Sequence, residues 1–395
     1  MLSRLIPLEV SELITDLERA GHRAYLVGGC VRDYLMGLKP QDYDITSSAT
    51  PKQVMSIFAH LKVLPTGIRH GTVTVINRGV SVEITALRKE GTYKDHRHPD
   101  KVIYTNSAAE DAARRDFTVN AMYYSPSEGM LDFYGGQADL AAGILRAVGD
   151  PELRFEEDAL RILRALRFAA RLGFTVEKNT VAAMRAKVHL LQHIAAERVL
   201  SELGQILMGD YAEAVLAEHS YVTECLFGAK APDDLGKYPK EYRLPLFIAH
   251  CGRNAEGAET LCRSLKTDRR LARSVSAAAF ALYGYGFDCW LEVAVYAGKH
   301  GIKDARMTCI LLERRGGRLP ANWESGLALM ECGKLPLTLR ELAVDGADLK
   351  ALGAVNGKQM GTLLEKLFAY VHTGGINEKT SLCAEALRII SSEGC

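Results

Sequence analysis

The sequence predicts an α+β chain: a small α/β head followed by a long all-helical region. Three observations predict it. Short β-branched runs with turn signals between them crowd the residues before about position 150. Helical stretches alternate with those runs, as in a compact α/β unit. Beyond that point the β signals fade, and apolar residues recur at helical spacing almost to the end.

The elements follow in order. Residues 1–22 carry acidic side chains through their second half and read as an amphipathic helix, with no apolar signal core and no small-residue cleavage site. Strand-like runs follow at Ala24–Gly29, Tyr43–Ser48, Thr72–Gly79, Ser81–Leu87 and Lys101–Thr105. The third and fourth read as two strands joined by a turn around Asn77 to Gly79. Glu156 to Phe174 reads as one helix, with Gly173 as its C-cap, and Thr180 to Gly209 continues as helices. Gly228–Pro239 and Arg314–Asn322 read as connecting loops. No repeat at a fixed period and no low-complexity tract is present.

Composition excludes several classes. At 395 residues the chain exceeds one ordinary core, and 48% hydrophobic with 25% charged residues is a soluble globular balance. Apolar runs stay well short of the roughly 18 residues a membrane span needs. The nine cysteines are scattered singly and none forms a CxxC pair, which argues against structural zinc and for a reduced, cytoplasmic protein. A net charge of +1 does not announce nucleic acid, so any RNA contact must concentrate its cations locally. Arg263, Lys266, Arg269, Arg270 and Arg273 form one such group, and Arg161, Arg164 and Arg167 another. Taken alone, each such run is more often a solvated helix face.

Four signals carry chemistry. In Leu26–Asp33 a β-run feeds Gly28 and Gly29 and then an amphipathic stretch. Such a strand-to-helix turn brings backbone N–H groups and a helix N-terminus to phosphate oxygens, and Arg32 adds a cation one turn on. Asp42 and Asp44 come next. At i and i+2 of a strand both carboxylates project from one face, and like charges so placed call for a cation between them. Mg²⁺ takes such oxygen ligands together with substrate phosphates. Glu83 either joins from a neighbouring strand as a third carboxylate or faces solvent, and the spacing does not choose. Third, Arg114-Arg115-Asp116 precedes the apolar turn Phe117–Ala121, making Arg115 a candidate phosphate or ribose contact. Fourth, Asp158 and Arg161 stand at i and i+3 of the expected helix, with Arg164 and Arg167 extending the ridge by roughly 9 Å at 1.5 Å per residue. Cytosine and adenine each present an amino donor beside a ring-nitrogen acceptor. A carboxylate–guanidinium pair complements that edge and leaves guanine and uracil mismatched.

In this order the four signals resemble the class II tRNA nucleotidyltransferase and bacterial poly(A) polymerase family of the polymerase-β-like nucleotidyltransferases. Leu26–Asp33 with Asp42–Ile45 is similar to its catalytic motif, Arg114–Ala121 to its ribose motif, Leu131–Gly136 to its head–neck hinge, and Glu157–Arg161 to its amino-acid template. Asp345–Asn377 resembles its tail. The resemblance implies a mixed-sheet nucleotidyltransferase head over residues 1–145, then an all-helical neck (146–205), body (206–334) and tail (335–395) that hold tRNA. It implies template-independent CCA addition to the tRNA 3′ end from CTP and ATP. Two Mg²⁺ ions on Asp42 and Asp44 would serve catalysis, Gly29, Arg32 and Arg115 would hold phosphate and sugar, and Asp158 and Arg161 would read the base. Arg164 and Arg167 would complete the pocket. No DNA or membrane partner is implied.

Narrower relatives are the rivals: A-adding enzymes, CC-adding enzymes and poly(A) polymerases, and, from another class, a catalytically silent RNA-binding protein. Gly67–Val73 resembles the CCA-adding version of its loop, and the basic extensions of the poly(A) polymerases are missing. Gly91–Arg97 is similar to the flexible loop that CC-adding enzymes lack. No His-Asp dipeptide is present for an appended phosphohydrolase domain.

Overall fold

The computed structural model describes residues 6–65, 67–89, 103–354 and 357–393. Two compact units divide the chain, residues 1–237 and 238–395. Gly91–Arg97 lies outside the described residues.

The first unit begins with helix α1 (Leu8–Arg19), strand β1 (Ala24–Val27), α2 (Gly29–Leu35), β2 (Tyr43–Ser47), α3 (Pro51–Ile57) and β3 (Lys62–Leu64). Strands β4 (Thr72–Asn77), β5 (Val80–Ala86), β6 (Arg88–Lys89) and β7 (Ile103–Tyr104) follow, then α4 (Ala108–Ala113), β8 (Met122–Ser125), β9 (Gly129–Asp132) and α5 (Gly136–Ala142). Seven strands form one mixed sheet in the order β3-β4-β5-β2-β1-β8-β9, in which β2 and β5 run parallel and the other neighbours antiparallel. The expected β4–β5 hairpin is present, turning through Arg78 and Gly79 at φ 46° and 87°.

Strand alternation decides what each face carries. Leu26, Tyr43, Ile45, Val73, Val75, Val82 and Ile84 point into a core closed by Val10, Leu13, Ile14 and Leu17 of α1 and by Val31 of α2. The opposite face carries a smaller apolar cluster, Tyr25, Val27, Leu87 and Tyr123, covered by Ala108 and Ala112 of α4. Burying alternate residues of β2 and β5 on the first face therefore directs Asp44 and Glu83 to the second.

Strand β10 (Ile144–Leu145) pairs with β11 (Thr175–Val176) around α6 (Pro151–Glu157) and α7 (Leu160–Leu172). Helices α8 (Lys178–Lys187), α9 (Ala196–Leu207), α10 (Ala212–Glu218) and α11 (Ser220–Phe227) complete the unit. Helix α7 buries Ile162, Leu163, Leu166 and Ala169 and ends where expected, with Gly173 in the left-handed region at φ 71°. The single helix expected from Glu156 onward is instead broken. Asp158 is extended at φ −148° and ψ 100°, and its carboxylate accepts from the Leu160 N–H at 3.1 Å, which starts a new helix after it.

The second unit is helical: α12 (Lys240–Gly252), α13 (Ala255–Ser264), α14 (Arg269–Tyr283), α15 (Trp290–His300), α16 (Ile302–Arg314), α17 (Trp323–Glu331), α18 (Gly346–Ala351), α19 (Gly357–His372) and α20 (Lys379–Glu393). Asn254 and Asp268 cap α13 and α14 through their side chains. Buried Val275, Ala278, Val293, Ala297, Leu311 and Leu312 form much of its interior. Among the described residues no helix is long and apolar enough to cross a membrane.

Candidate active site

The site forms on the open face of the sheet. Asp44 and Glu83 are register partners across the parallel β2–β5 pair, and Asp42 precedes β2 with the same parity as Asp44. Solvent reaches Asp44, while protein crowds it on its other sides. Loss of solvation first, then the Glu83 and Asp42 carboxylates, push its carboxyl up to about 6, with Arg115 pulling the other way. A carboxylate crowded by two others is a fitting seat for a divalent cation whose remaining ligands come from substrate. Among the described residues no three His, Cys, Asp or Glu side chains close a metal cage by themselves.

Gly28 sits at φ 78° and ψ −135° between β1 and α2, a conformation that side chains avoid. A side-chain carbon there would lie 3.7 Å from Arg115 Nη1 and 3.9 Å from Asp44 Oδ2. Gly28 therefore opens the space in which that guanidinium and that carboxylate meet. Arg115 is aimed by two clamps: its Nε donates to the Tyr123 hydroxyl at 2.7 Å and its Nη2 to Asp111 Oδ2 at 3.1 Å. Asp111 is fully buried and also accepts from Arg114 Nε at 2.9 Å and Tyr123 O–H at 2.7 Å. Burial raises its pKa, but the Arg115 and Arg114 charges more than reverse this and hold it below the usual carboxylate range.

Arg32 is placed differently from its neighbours. At 3% exposure it is turned inward, bonded to Asp33 Oδ1 at 2.9 and 2.6 Å and to Asn120 Oδ1 at 2.7 Å. Its Nη2 lies 3.5 Å from where a Gly29 side-chain carbon would stand, directly behind the glycine turn.

Helix α7 joins this site from below. Arg164 donates to Asp116 Oδ2, through Nε at 2.8 Å and through Nη2. The Phe168 ring is a hub, with the guanidinium carbons of Arg32, Arg164 and Arg167 at 5.5, 5.7 and 4.6 Å from its centroid. Arg161 donates to Glu157 Oε2 at 2.6 Å and, through Nη2, to the Arg114 carbonyl at 3.1 Å, which ties the start of α7 to the end of α4. Asp158 is held by Arg198 of α9, Nη2 to Oδ2 at 2.8 Å. Arg167 reaches Gln205 at 2.8 Å and buried Glu202 at 3.4 Å. Burial drives the Glu202 carboxyl up despite Arg167 and Arg164.

Asp44, Glu83 and Arg115 thus meet on the open face beside Gly28, with Asp42 close by, whereas Gly29 faces the inward-turned Arg32; Arg161 and Arg164 are bonded to the segment that carries Arg115. Sequence reasoning missed Asp111, Tyr123, Phe168, Arg198 and Glu202. Only α9 offered a signal: Arg198, Glu202 and Gln205 recur at helical spacing among apolar residues. Glu83, left open by its spacing, stands opposite Asp44.

Comparison with known proteins agrees with this architecture. The model described as the poly A polymerase head domain matches residues 24–146, and the one described as a probable RNA and SrmB-binding site of polymerase A matches residues 173–218. The chain is 35% identical to the CCA-adding enzyme of Ligilactobacillus salivarius, with 100% of each covered. It is 34% identical to that of Leuconostoc citreum over 98% of this chain and 97% of the relative. The crystal structure of the Bacillus stearothermophilus CCA-adding enzyme in complex with CTP superposes with a TM-score of 0.82 at 29% identity, covering 98% of both chains. Likeness that runs from end to end, in sequence and in fold alike, establishes common descent: the chain belongs to the family of CCA-adding enzymes, the nucleotidyltransferases built on a poly(A) polymerase head.

Proposed function

We propose that the protein adds C, C and A in turn to the 3′ end of tRNA from CTP and ATP, releasing pyrophosphate at each step, without a nucleic-acid template. The observation that carries this reading is the bonding of Arg161 Nη2 to the Arg114 carbonyl, beside Arg115. It supports reading the α7 ridge as base-recognising and the face beside Arg115 as triphosphate-binding. On this reading residues 1–145 are the catalytic head, 146–205 the neck, and 206–334 and 335–395 the body and tail that hold tRNA. The protein works in the cytoplasm.

Asp42 and Asp44 would hold Mg²⁺, with Glu83 beside them, and an ion there would supply positive charge toward the tRNA 3′-hydroxyl and the departing pyrophosphate. Arg115 Nη1 and the backbone at Gly28 and Gly29 take the triphosphate and sugar, with Arg32 adding positive charge behind the turn. Arg164 and Arg167 close the pocket over Phe168. Asp158 accepts the amino proton of C or A while Arg161 donates to the ring nitrogen.

The test is direct. A tRNA ending at its discriminator base is incubated with CTP, ATP, UTP or GTP singly and in combination, and the 3′ end is mapped. The expected ladder adds two cytidines with CTP alone and a terminal adenosine once ATP joins. Products stopping at CC with both nucleotides, or gaining only A, would place the chain with its narrower relatives. No product at all would make it a silent RNA binder.

A further inference from the structure

The residue proposed to read the base amino group is held from two sides. Asp158 is extended, outside both α6 and α7. The Leu160 N–H at the start of α7 binds Oδ1, and the remaining hold on the carboxylate comes from α9. Arg198 presents its guanidinium fork to both carboxylate oxygens, Nη2 to Oδ2 at 2.8 Å and Nη1 to Oδ1 at 3.4 Å.

The pairing also counts out the acceptor positions. A carboxylate offers about four lone-pair positions. The Leu160 N–H and Arg198 Nη1 occupy Oδ1 and Arg198 Nη2 takes half of Oδ2, which leaves one position, on Oδ2. One acceptor suits one amino N–H. The side chains of Asp158 and Arg198 are 21% and 26% exposed, so the pair borders an accessible space rather than lying sealed in the core. On α9 the same stripe continues to Glu202 and Gln205, both engaged with Arg167.

We infer that Arg198 is a positioning residue for nucleotide selection: it sets the rotation of the Asp158 carboxylate so that a single Oδ2 lone pair meets the base. This rests on the reading of Asp158 as a base-recognising residue. Arg198 touches Asp158 and acts through it. Rotating the carboxylate by a fraction of a turn would move the acceptor by about 1 Å, a displacement that costs about 100-fold when it misplaces a reacting or recognising group.

The experiment compares the full-length wild type with Arg198→Met, Arg198→Lys, Asp158→Ala and the double variant Asp158→Ala/Arg198→Met. The readout is the kcat/KM ratio of CTP to UTP and of ATP to GTP on matched tRNA substrates. Melting temperature and tRNA affinity identify the variants that fold. Arg198→Met is expected to lower both ratios by about 10- to 100-fold, and by no more than Asp158→Ala does. Arg198→Lys, which keeps the charge but loses the planar fork, is expected to fall between it and wild type. The double variant should be no less selective than Asp158→Ala alone, because the effect passes through that carboxylate. Unchanged ratios in whichever Arg198 variants fold, alongside a loss in Asp158→Ala, overturn the inference and leave the base-reading role intact. A double variant markedly less selective than Asp158→Ala also overturns it, since Arg198 would then act independently. Unchanged ratios in Asp158→Ala itself overturn the base-reading role, and the inference with it.

Discussion

Asp44 and Glu83 stand opposite each other in the β2–β5 ladder, on the face of the sheet turned away from the α1 core. Neighbouring strands in a ladder lie about 4.8 Å apart, so the two carboxylates repel through little intervening material. Arg115 approaches the same place past Gly28, and it opposes the rise in the Asp44 pKa. The electrostatics of the site are those of an acidic pair that a cation relieves.

That arrangement makes metal use pH-dependent. Asp44 must be ionised to bind Mg²⁺, and its carboxyl is pushed up to about 6 by burial, Glu83 and Asp42. Initial rates at subsaturating Mg²⁺ should therefore fall as pH drops through that value and level off above it. Glu83→Gln removes one of the raising charges, so the limb should move toward lower pH. A limb that stays in place would show that Glu83 does not act on Asp44. Asp42→Ala or Asp44→Ala should abolish addition while the protein still folds; turnover within about tenfold of wild type at saturating Mg²⁺ would exclude them as ligands.

Asp111 should be a stability residue. Removing one partner of a buried ion pair costs about 3–5 kcal/mol, and Asp111 serves both Arg114 and Arg115. Asp111→Asn is expected to lose an amount of that order at neutral pH in chemical denaturation. The folded pKa of Asp111 lies below its unfolded value, so its stabilisation is present above the ordinary carboxylate value of about 4 and is lost as pH falls through the folded pKa. The gap between wild type and variant should close on acidification. A gap that widens instead would mean the carboxylate is not the stabilising form.

Gly28→Ala separates backbone strain from site chemistry. At φ 78° and ψ −135° a side chain costs about 1–3 kcal/mol, and its carbon would stand in the space between Arg115 and Asp44. We expect a modest fall in melting temperature together with a rise in KM for both CTP and ATP, because the methyl occupies the proposed phosphate approach. Unchanged KM values with the same loss of stability would confine Gly28 to a structural role.

Base choice should depend on Asp158. Loss of one half of a donor–acceptor edge is worth roughly 1–3 kcal/mol of discrimination. Asp158→Ala should therefore raise UTP and GTP incorporation relative to CTP and ATP by about 10- to 100-fold. Strict C and A preference at wild-type efficiency would show that another group reads the base.

The sequence by itself determined the features that depend on short-range periodicity. β-branched runs with turn signals located β1, β2, β4, β5 and β7 and the hairpin through Arg78 and Gly79, but not β3, β8 or β9, and strand alternation gave the parity of Asp42 with Asp44. The glycine turn before α2 and the C-cap at Gly173 were legible because backbone conformation there restricts residue type. The adjacency of Arg115 to Asp116 needs no folding at all. Tertiary structure alone decided whatever depends on residues far apart in the chain. Register between β2 and β5 set Glu83 against Asp44, across 39 residues of sequence that no local pattern spans. A buried carboxylate, Asp111, became the anchor of the arginine pair only because α4 packs on the sheet beside Tyr123. The helix expected through Asp158 broke because two competing hydrogen bonds, from Leu160 within the turn and from Arg198 on α9, hold that carboxylate outside the helix. Aspartate is a weak helix former, so a charge-assisted pair readily holds it outside the helix that its apolar neighbours would continue.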